Sequence, residues 1–332
     1  MSAFGPLPDP QHLFDHDEAA RAFADILDGR ASDDQIGAFL IALADRGETM
    51  VEIAAAAAAL RARMIPIDAP SNAIDVCGTG GDGHHTLNVS TAVAIVVAAC
   101  EVPVAKHGNR AASSKSGAAD TLEALGLDMQ AAGAKAEATL RDLGICFLFA
   151  ANHHPAMRRI QPIRTAIGKR TIFNLMGPLA NPARVDRQLI GIARPAYVPV
   201  YAEALHHLGT RHSRIVSGDE GLDELSLAGG NEIAVVEPEG VRMQRTTAAD
   251  AGLPSHPVEA IRGGDAQYNA RALKRLLTGE TGPYRDAVLF NAAEALVIAG
   301  AVETLVDGVE EAAEAIDKGL ANALLDCWIA YT

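Results

Sequence analysis

A small helical N-terminal domain followed by a larger α/β domain is the fold class this sequence predicts. Three observations carry it: helical periodicity over roughly residues 17–64, a change after residue 72 to short apolar runs alternating with helical segments, and a glycine run directly after the first apolar run. The chain has 332 residues, 49% of them hydrophobic, which is enough for two cores. Alanine is abundant and aromatic residues make up only 4%, so the cores are expected to be filled by Ala, Leu, Ile and Val on a helix-rich frame.

The first helices announce themselves through capping boxes, Ser32-Asp-Asp-Gln35 and Thr49-Met-Val-Glu52. After the first of these, Ile36, Phe39, Leu40 and Leu43 recur at helical spacing, and Gly47 is a natural stop. Short helices with one apolar face need a surface to pack on, which suggests homodimerisation through this region. The turn-rich stretch from Ile65-Pro66 to Ser71-Asn72 then separates the two characters of the chain. Strands are predicted at 73–76, 102–105, 145–149, 188–192, 213–217 and 232–236, and helices at 266–277, 287–300 and 309–329.

A formal net charge of -14 excludes broad binding to polyanions, so any phosphate-bearing ligand must be held by a local pocket and a metal. Cys77, Cys100, Cys146 and Cys327 are widely spaced and contain no CxxC pair, which argues against a disulfide framework and a zinc site and fits a reducing cytoplasm. The N-terminus has no basic segment leading into an apolar one, and the most apolar run, 91–100, is far too short to span a bilayer. A cytoplasmic protein is expected.

The predicted strand 73–76 runs into Gly78-Thr79-Gly80-Gly81-Asp82-Gly83, and a helix begins at Asn88-Val89-Ser90-Thr91. Glycines permit positive φ and close backbone approach, successive N–H groups form a concavity, and the helix N-terminus adds its dipole, so this is an anion cradle. Thr86, Asn88, Ser90 and Thr91 offer side chains to phosphate oxygens or metal-bound water, although Ser90 or Thr91 could simply cap the helix. The same glycines match GxGxxG, with Glu101 near the spacing of a ribose-binding acid. In a dinucleotide-binding loop, however, the helix starts within the glycine run and the acid follows its strand; here five residues intervene and Glu101 precedes the strand. No Gly-Lys-Ser/Thr closes the loop, so the Walker pattern is absent. A second segment, Lys106-His107-Gly108-Asn109-Arg110-Ala111-Ala112-Ser113-Ser114-Lys115-Ser116-Gly117, collects three cations and three serines at the end of the next strand, where open α/β sheets bind ligands.

GTGGDGHHTLNVST followed by KHGNRAASSKSG resembles the signature of the anthranilate phosphoribosyltransferase family. Three more stretches, 153–182, 217–226 and 282–293, extend the resemblance over nearly the whole chain. It implies a small helical domain over 1–66, joined by helices from about 165–184, and a large α/β domain over 67–332 around a mixed, mostly parallel sheet flanked by helices, with the substrate cleft between the domains. It also implies that phosphoribosyl pyrophosphate lies against Gly78, Gly81, Asp82, Thr86, Asn88, Val89, Ser90, Thr91, Lys106, His107, Gly108, Asn109, Arg110, Ala111, Ala112, Ser113, Ser114 and Ala118. Relatives often carry hydroxyls where this chain has Ala118 and Ala119, so a contact at Ala118 must come from the backbone.

By the same resemblance, Gly78, Asn109 and Arg164 would hold anthranilate, with His107 and His154 nearby. A planar guanidinium is the natural grip for a carboxylate. Ser90, Asp223 and Glu224 are implied as Mg²⁺ ligands, two ions per subunit; without the resemblance, adjacent acids in an acid-rich chain read as solvated. Three other readings stand beside this one. A pyrimidine nucleoside phosphorylase shares the architecture, but these loops resemble the transferase more. A nucleic-acid-binding relative would need a basic surface, and a dehydrogenase rests on the GxGxxG coincidence alone.

Overall fold

The computed structural model describes residues 4–111 and 115–332. Its N-terminal part consists of α1 (His16–Leu27), α2 (Asp33–Arg46) and α3 (Met50–Arg61). Each opens on a reciprocal capping box, formed by Asp15 with Glu18, Ser32 with Gln35 and Thr49 with Glu52. Every box satisfies N–H groups that the helix start would leave unpaired. The second and third lie where the sequence puts them; the first is an addition from the structure. Gly47 ends α2 at φ +95°.

The face built by Ile36, Phe39, Leu40 and Leu43 is fully buried. It shares one core with Phe23 and Ile53 and with Ile160, Ile163, Ile172 and Phe173 from much later in the chain. The helix Met157–Ile167 and the short helices after it therefore pack onto the N-terminal bundle, starting a few residues before the expected 165–184.

The rest of the chain surrounds a seven-stranded sheet in the order β3-β2-β1-β4-β5-β6-β7. The strands are β1 (Ile74–Gly78), β2 (Val104–Gly108), β3 (Ile145–Phe149), β4 (Arg187–Gly191), β5 (His212–Gly218), β6 (Asn231–Glu237) and β7 (Gly240–Thr246). β1 to β5 pair in parallel, and β6 and β7 add an antiparallel edge. Alternate residues face opposite cores. Leu189, Val216, Ile233 and Val235 join one, while Ile190, Ile215, Ala234 and Val236 join the core shared with the helical bundle. On the first face lies α4 (Val89–Ala99), whose residues from Thr91 to Ala98 are all buried, as expected of a helix apolar all round.

Two features depart from the expectation. β7 was not predicted, because Gly240-Val-Arg-Met-Gln-Arg-Thr is an edge strand, paired on one side and half exposed, with only Val241 and Met243 apolar. The single helix predicted over 309–329 is two, Leu305–Asp317 and Leu320–Tyr331, broken at Gly319, whose φ of +73° no right-handed helix accommodates. Among the described residues, no helix is long and apolar enough to cross a membrane.

Candidate active site

The five parallel strands bring their C-terminal ends to one edge of the sheet, and the strand order reverses at β1: β2 and β3 lie on one side of it, β4 and β5 on the other. Such a switch point opens a crevice. Gly78, which ends β1, is the Cα partner of Gly191, which ends β4. A Cβ on Gly78 would lie 2.3 Å from Asp223 Oδ2, and one on Gly191 only 1.6 Å from the Asp223 carbonyl oxygen. The turn after β5 therefore passes directly over both strand ends, and the missing side chains let it do so.

The glycine loop adopts the positive φ its composition predicts, +70° at Gly80, +82° at Gly81 and +78° at Gly83. Its Gly80 N–H donates to Asp223 Oδ2 at 2.7 Å, the Thr79 N–H to the Gly191 carbonyl at 2.9 Å, and the His84 ring meets the Glu220 carbonyl at 3.1 Å. Asp82, in the same loop, accepts the His84 N–H. Thr86 forms an isolated bridge with Arg262, which fixes the far end of the loop.

Burial pushes the carboxyls of Asp223 and Glu224 above the usual range, and their neighbours push further: Asp82 acts on Asp223, and Asp223 acts on Glu224. This is a site that favours a cation. Among the described residues, no three His, Cys, Asp or Glu side chains form a complete metal cage. Two carboxylates with room for further oxygens suit a magnesium-type ion, which keeps waters and substrate phosphates in its shell.

α4 begins at Val89 with Asn88 as its cap residue, but no side chain caps it. Asn88 instead ties three segments together: its Oδ1 accepts from Thr121 Oγ1 and Asn269 Nδ2, and its Nδ2 donates to the Ser116 carbonyl. Val89 and Thr91 are buried, so what they offer a ligand is backbone at the helix N-terminus. The Ser90 N–H donates to Glu224 Oε1 at 3.2 Å. Lys106, also buried, donates from Nζ to the Val76 carbonyl at 2.6 Å and to Ser90 Oγ at 3.3 Å. Glycine loop, helix start, ammonium and acid pair thus meet at one place. Glu101, by contrast, is exposed in the turn after α4 and precedes β2, so the dinucleotide-binding arrangement is not formed.

His107 Nδ1 lies 2.8 Å from the Gly177 carbonyl, which can only accept; that nitrogen therefore carries the proton. Its Nε2 is then the acceptor for His154 Nε2–H at 3.3 Å. Burial lowers His107 to about 3 and His154 to about 4, so both rings are neutral at pH 7. Gly108 ends β2 against the Phe147 ring, and Asn109 is exposed just beyond. Arg110 is held by Asp120 and Glu123, both at 2.8 Å, and the Ala111 N–H donates to Asp120. Ala118 opens the helix Ala118–Leu125, with its backbone at the helix start. Ala112, Ser113 and Ser114 lie outside the described residues.

Arg164 stands in the last turn of helix Met157–Ile167, bonded to Gln161 Oε1 at 3.3 Å, and burial lowers its pKa. Among the described residues it has no carboxylate partner within salt-bridge distance. A cleft with about 480 Å³ of open space separates Thr79, Gly80 and Gly81 from Arg170, Asn174 and Tyr197. Two participants were missed in the sequence. Gly191 was signalled only by a glycine inside the predicted strand 188–192. Asp75, buried in β1, was signalled by an acid inside an apolar run.

Residues 11–64 match the helical bundle domain of the glycosyl transferase family, and residues 70–322 match its α/β domain. The chain is 80% identical to the anthranilate phosphoribosyltransferase of Sphingopyxis alaskensis, over the full length of both. Among solved structures it resembles the anthranilate phosphoribosyltransferase of Thermus thermophilus, with TM-score 0.92, 40% identity and coverage of 100% and 99% of the two chains. It also resembles the Saccharomyces cerevisiae enzyme in complex with phosphoribosyl pyrophosphate and Mg, with TM-score 0.89, 28% identity and coverage of 99% and 96%. With both domains matched and the loops at the switch point in place, the chain belongs to the anthranilate phosphoribosyltransferase family.

Proposed function

We infer that the chain transfers the phosphoribosyl group of phosphoribosyl pyrophosphate to the amine of anthranilate, giving N-(5-phosphoribosyl)anthranilate and pyrophosphate in tryptophan biosynthesis. One observation carries this: the glycine loop, the start of α4 and Lys106 converge on the Asp223–Glu224 turn, in a chain of this family. That convergence can seat a diphosphate with a divalent cation.

The aromatic amine of anthranilate is neutral at pH 7, so its attack on the anomeric carbon calls for little general-base help, and no base is assigned. Backbone N–H groups of the glycine loop and of α4 would take the negative charge of the departing pyrophosphate, with Lys106 as a compact cation beside them. Asp223, Glu224 and Ser90 are the proposed Mg²⁺ ligands. The ion supplies neutralisation of charge on the pyrophosphate, and two ions per subunit would be read as stoichiometry in a calorimetric titration. Gly78, Asn109 and Arg164 are assigned to anthranilate, whose carboxylate Arg164 can clamp. Holding the two substrates in line supplies the remaining acceleration.

Homodimerisation through the helical domain and a cytoplasmic location complete the reading; a monomeric mass by light scattering would overturn the first. The function is tested by following anthranilate fluorescence with protein, phosphoribosyl pyrophosphate and Mg²⁺, omitting each in turn. Loss that needs all components is expected. Constant fluorescence with folded protein would rule out anthranilate as the acceptor.

A further inference from the structure

Asp75 is the second residue of β1, at 0% exposure, between the core residues Ile74 and Val76. A carboxylate placed there is costly unless it is hydrogen-bonded and faces a cation. Hydrogen bonds and a neighbouring cation offset part of that cost, while burial still raises the carboxyl above its usual range. Asp75 Oδ1 accepts the His107 N–H at 3.1 Å, Cys77 Sγ donates to Oδ2 at 3.3 Å, and Lys106 supplies the opposing charge.

What this arrangement achieves lies in the sheet. β1 keeps five paired positions with β4, and β2 keeps five with β3, but β1 and β2 are bridged only at Ile74 and Val104. Beyond that point side chains replace the ladder. The His107 N–H goes to Asp75, the Val76 carbonyl accepts from Lys106 Nζ at 2.6 Å, and the Ala105 carbonyl accepts from Asn181 Nδ2 at 2.8 Å. Lys106 thus crosses from β2 to β1 and reaches Ser90 Oγ in the first turn of α4.

We propose that Asp75 is a positioning residue for the phosphoribosyl donor: it props β2 off β1 by holding the His107 N–H, and its charge offsets that of the adjacent buried Lys106, whose ammonium reaches the start of α4. This rests on the functional reading above, since it takes the cradle around Lys106 to be the donor site. With the Asp75 charge removed, the buried Lys106 loses the carboxylate that offsets it from the neighbouring strand. A buried cation without its counter-charge is costly, so the ammonium is held less firmly at the start of α4. Donor binding weakens, while the anthranilate contacts assigned to Asn109 and Arg164 stay in place.

Asp75→Asn keeps an oxygen for the His107 N–H and removes only the charge. Titration calorimetry with phosphoribosyl pyrophosphate and Mg²⁺ is expected to show a Kd raised by about tenfold or more in the variant. Its anthranilate KM is expected to stay within about threefold of the parent value, a split that general loss of structure would not produce. A folded variant that binds the donor like the parent overturns the inference while leaving the functional reading intact; a parent protein that binds no donor overturns both.

Should the single variant fail to fold, Asp75→Asn combined with Lys106→Met removes both charges, the gentler change for a buried pair. If Asp75 acts through Lys106, this double variant binds the donor no more weakly than Lys106→Met alone. A further loss as large as that of Lys106→Met would show that Asp75 acts independently, and would overturn the inference.

Discussion

Replacing Gly191 by alanine is the sharpest probe of how this site is built. The new Cβ would sit 1.6 Å from the Asp223 carbonyl oxygen and 2.3 Å from its carbon, where ordinary contact begins at 3.4 Å. Those neighbours are backbone, so no side-chain rotation relieves the clash, and the turn carrying Asp223 and Glu224 must retreat by about 1.8 Å. Overpacking of this kind typically costs about 1–3 kcal/mol, which a large domain survives. Catalysis tolerates much less, since displacement by about 1 Å costs on the order of 100-fold in rate. The expected result is a folded protein, its Tm lowered by several degrees, with kcat/KM down at least about 100-fold and a higher Mg²⁺ requirement. Gly229→Ala, where nothing lies within 4 Å of the added carbon, is the matched control. If Gly191→Ala kept full activity, the turn would not be the metal-holding element and the close approach of backbone at the switch point would be incidental.

Three further outcomes are expected. Asp223 and Glu224 are raised to about 7 and about 8, so in metal-free protein they hold protons that the unfolded chain has already released. Their contribution to stability is therefore full below the ordinary carboxylate range and lost as pH rises through the raised values; Tm should fall across that window, and Asp223→Asn with Glu224→Gln should flatten the fall, as differential scanning calorimetry would show. Arg164→Ala should raise the anthranilate KM far more than the donor KM in steady-state kinetics; an unchanged anthranilate constant would move that substrate elsewhere. His107 and His154 should remain neutral from pH 8 down to pH 5, with the His107 proton on Nδ1; nitrogen-detected NMR showing either ring charged at pH 6 would contradict the buried pair.

Most of the fold could be read from local pattern. The capping boxes at Ser32 and Thr49 work because their bonds span three residues, so the sequence contains the whole interaction. The central strands could be read because burial on both faces makes them continuous apolar runs. β7 could not, since what makes it a strand is its pairing with β6 and not its own composition. The same division runs through the site. Its glycine loop is local chemistry, visible as a string of residues. The role of Gly191 depends on Asp223, more than thirty residues away, and that of Asp75 on Lys106 across a lapsed ladder. Asn88 is similar: its side chain ties Thr121, Asn269 and the Ser116 carbonyl together, partners far apart in sequence that no local pattern announces.

Charge accounting explains why this architecture calls for a metal. The chain carries -14 overall and must bind a pyrophosphate. Arg110, the obvious guanidinium of the second loop, is already engaged by Asp120 and Glu123. Lys106 is offset by Asp75 from within the sheet, and Asp223 and Glu224 add two acids at the rim. Backbone N–H groups contribute partial charges only. Apart from Lys115 at the exposed end of the second loop, these groups bring little net positive charge to a diphosphate, and burial together with mutual repulsion raises the carboxyls of the acid pair. A divalent cation answers both needs at once, relieving the repulsion between Asp223 and Glu224 and supplying the charge the donor requires. Acid pair and anion cradle are therefore one device, and neither would be useful to this chain without the other.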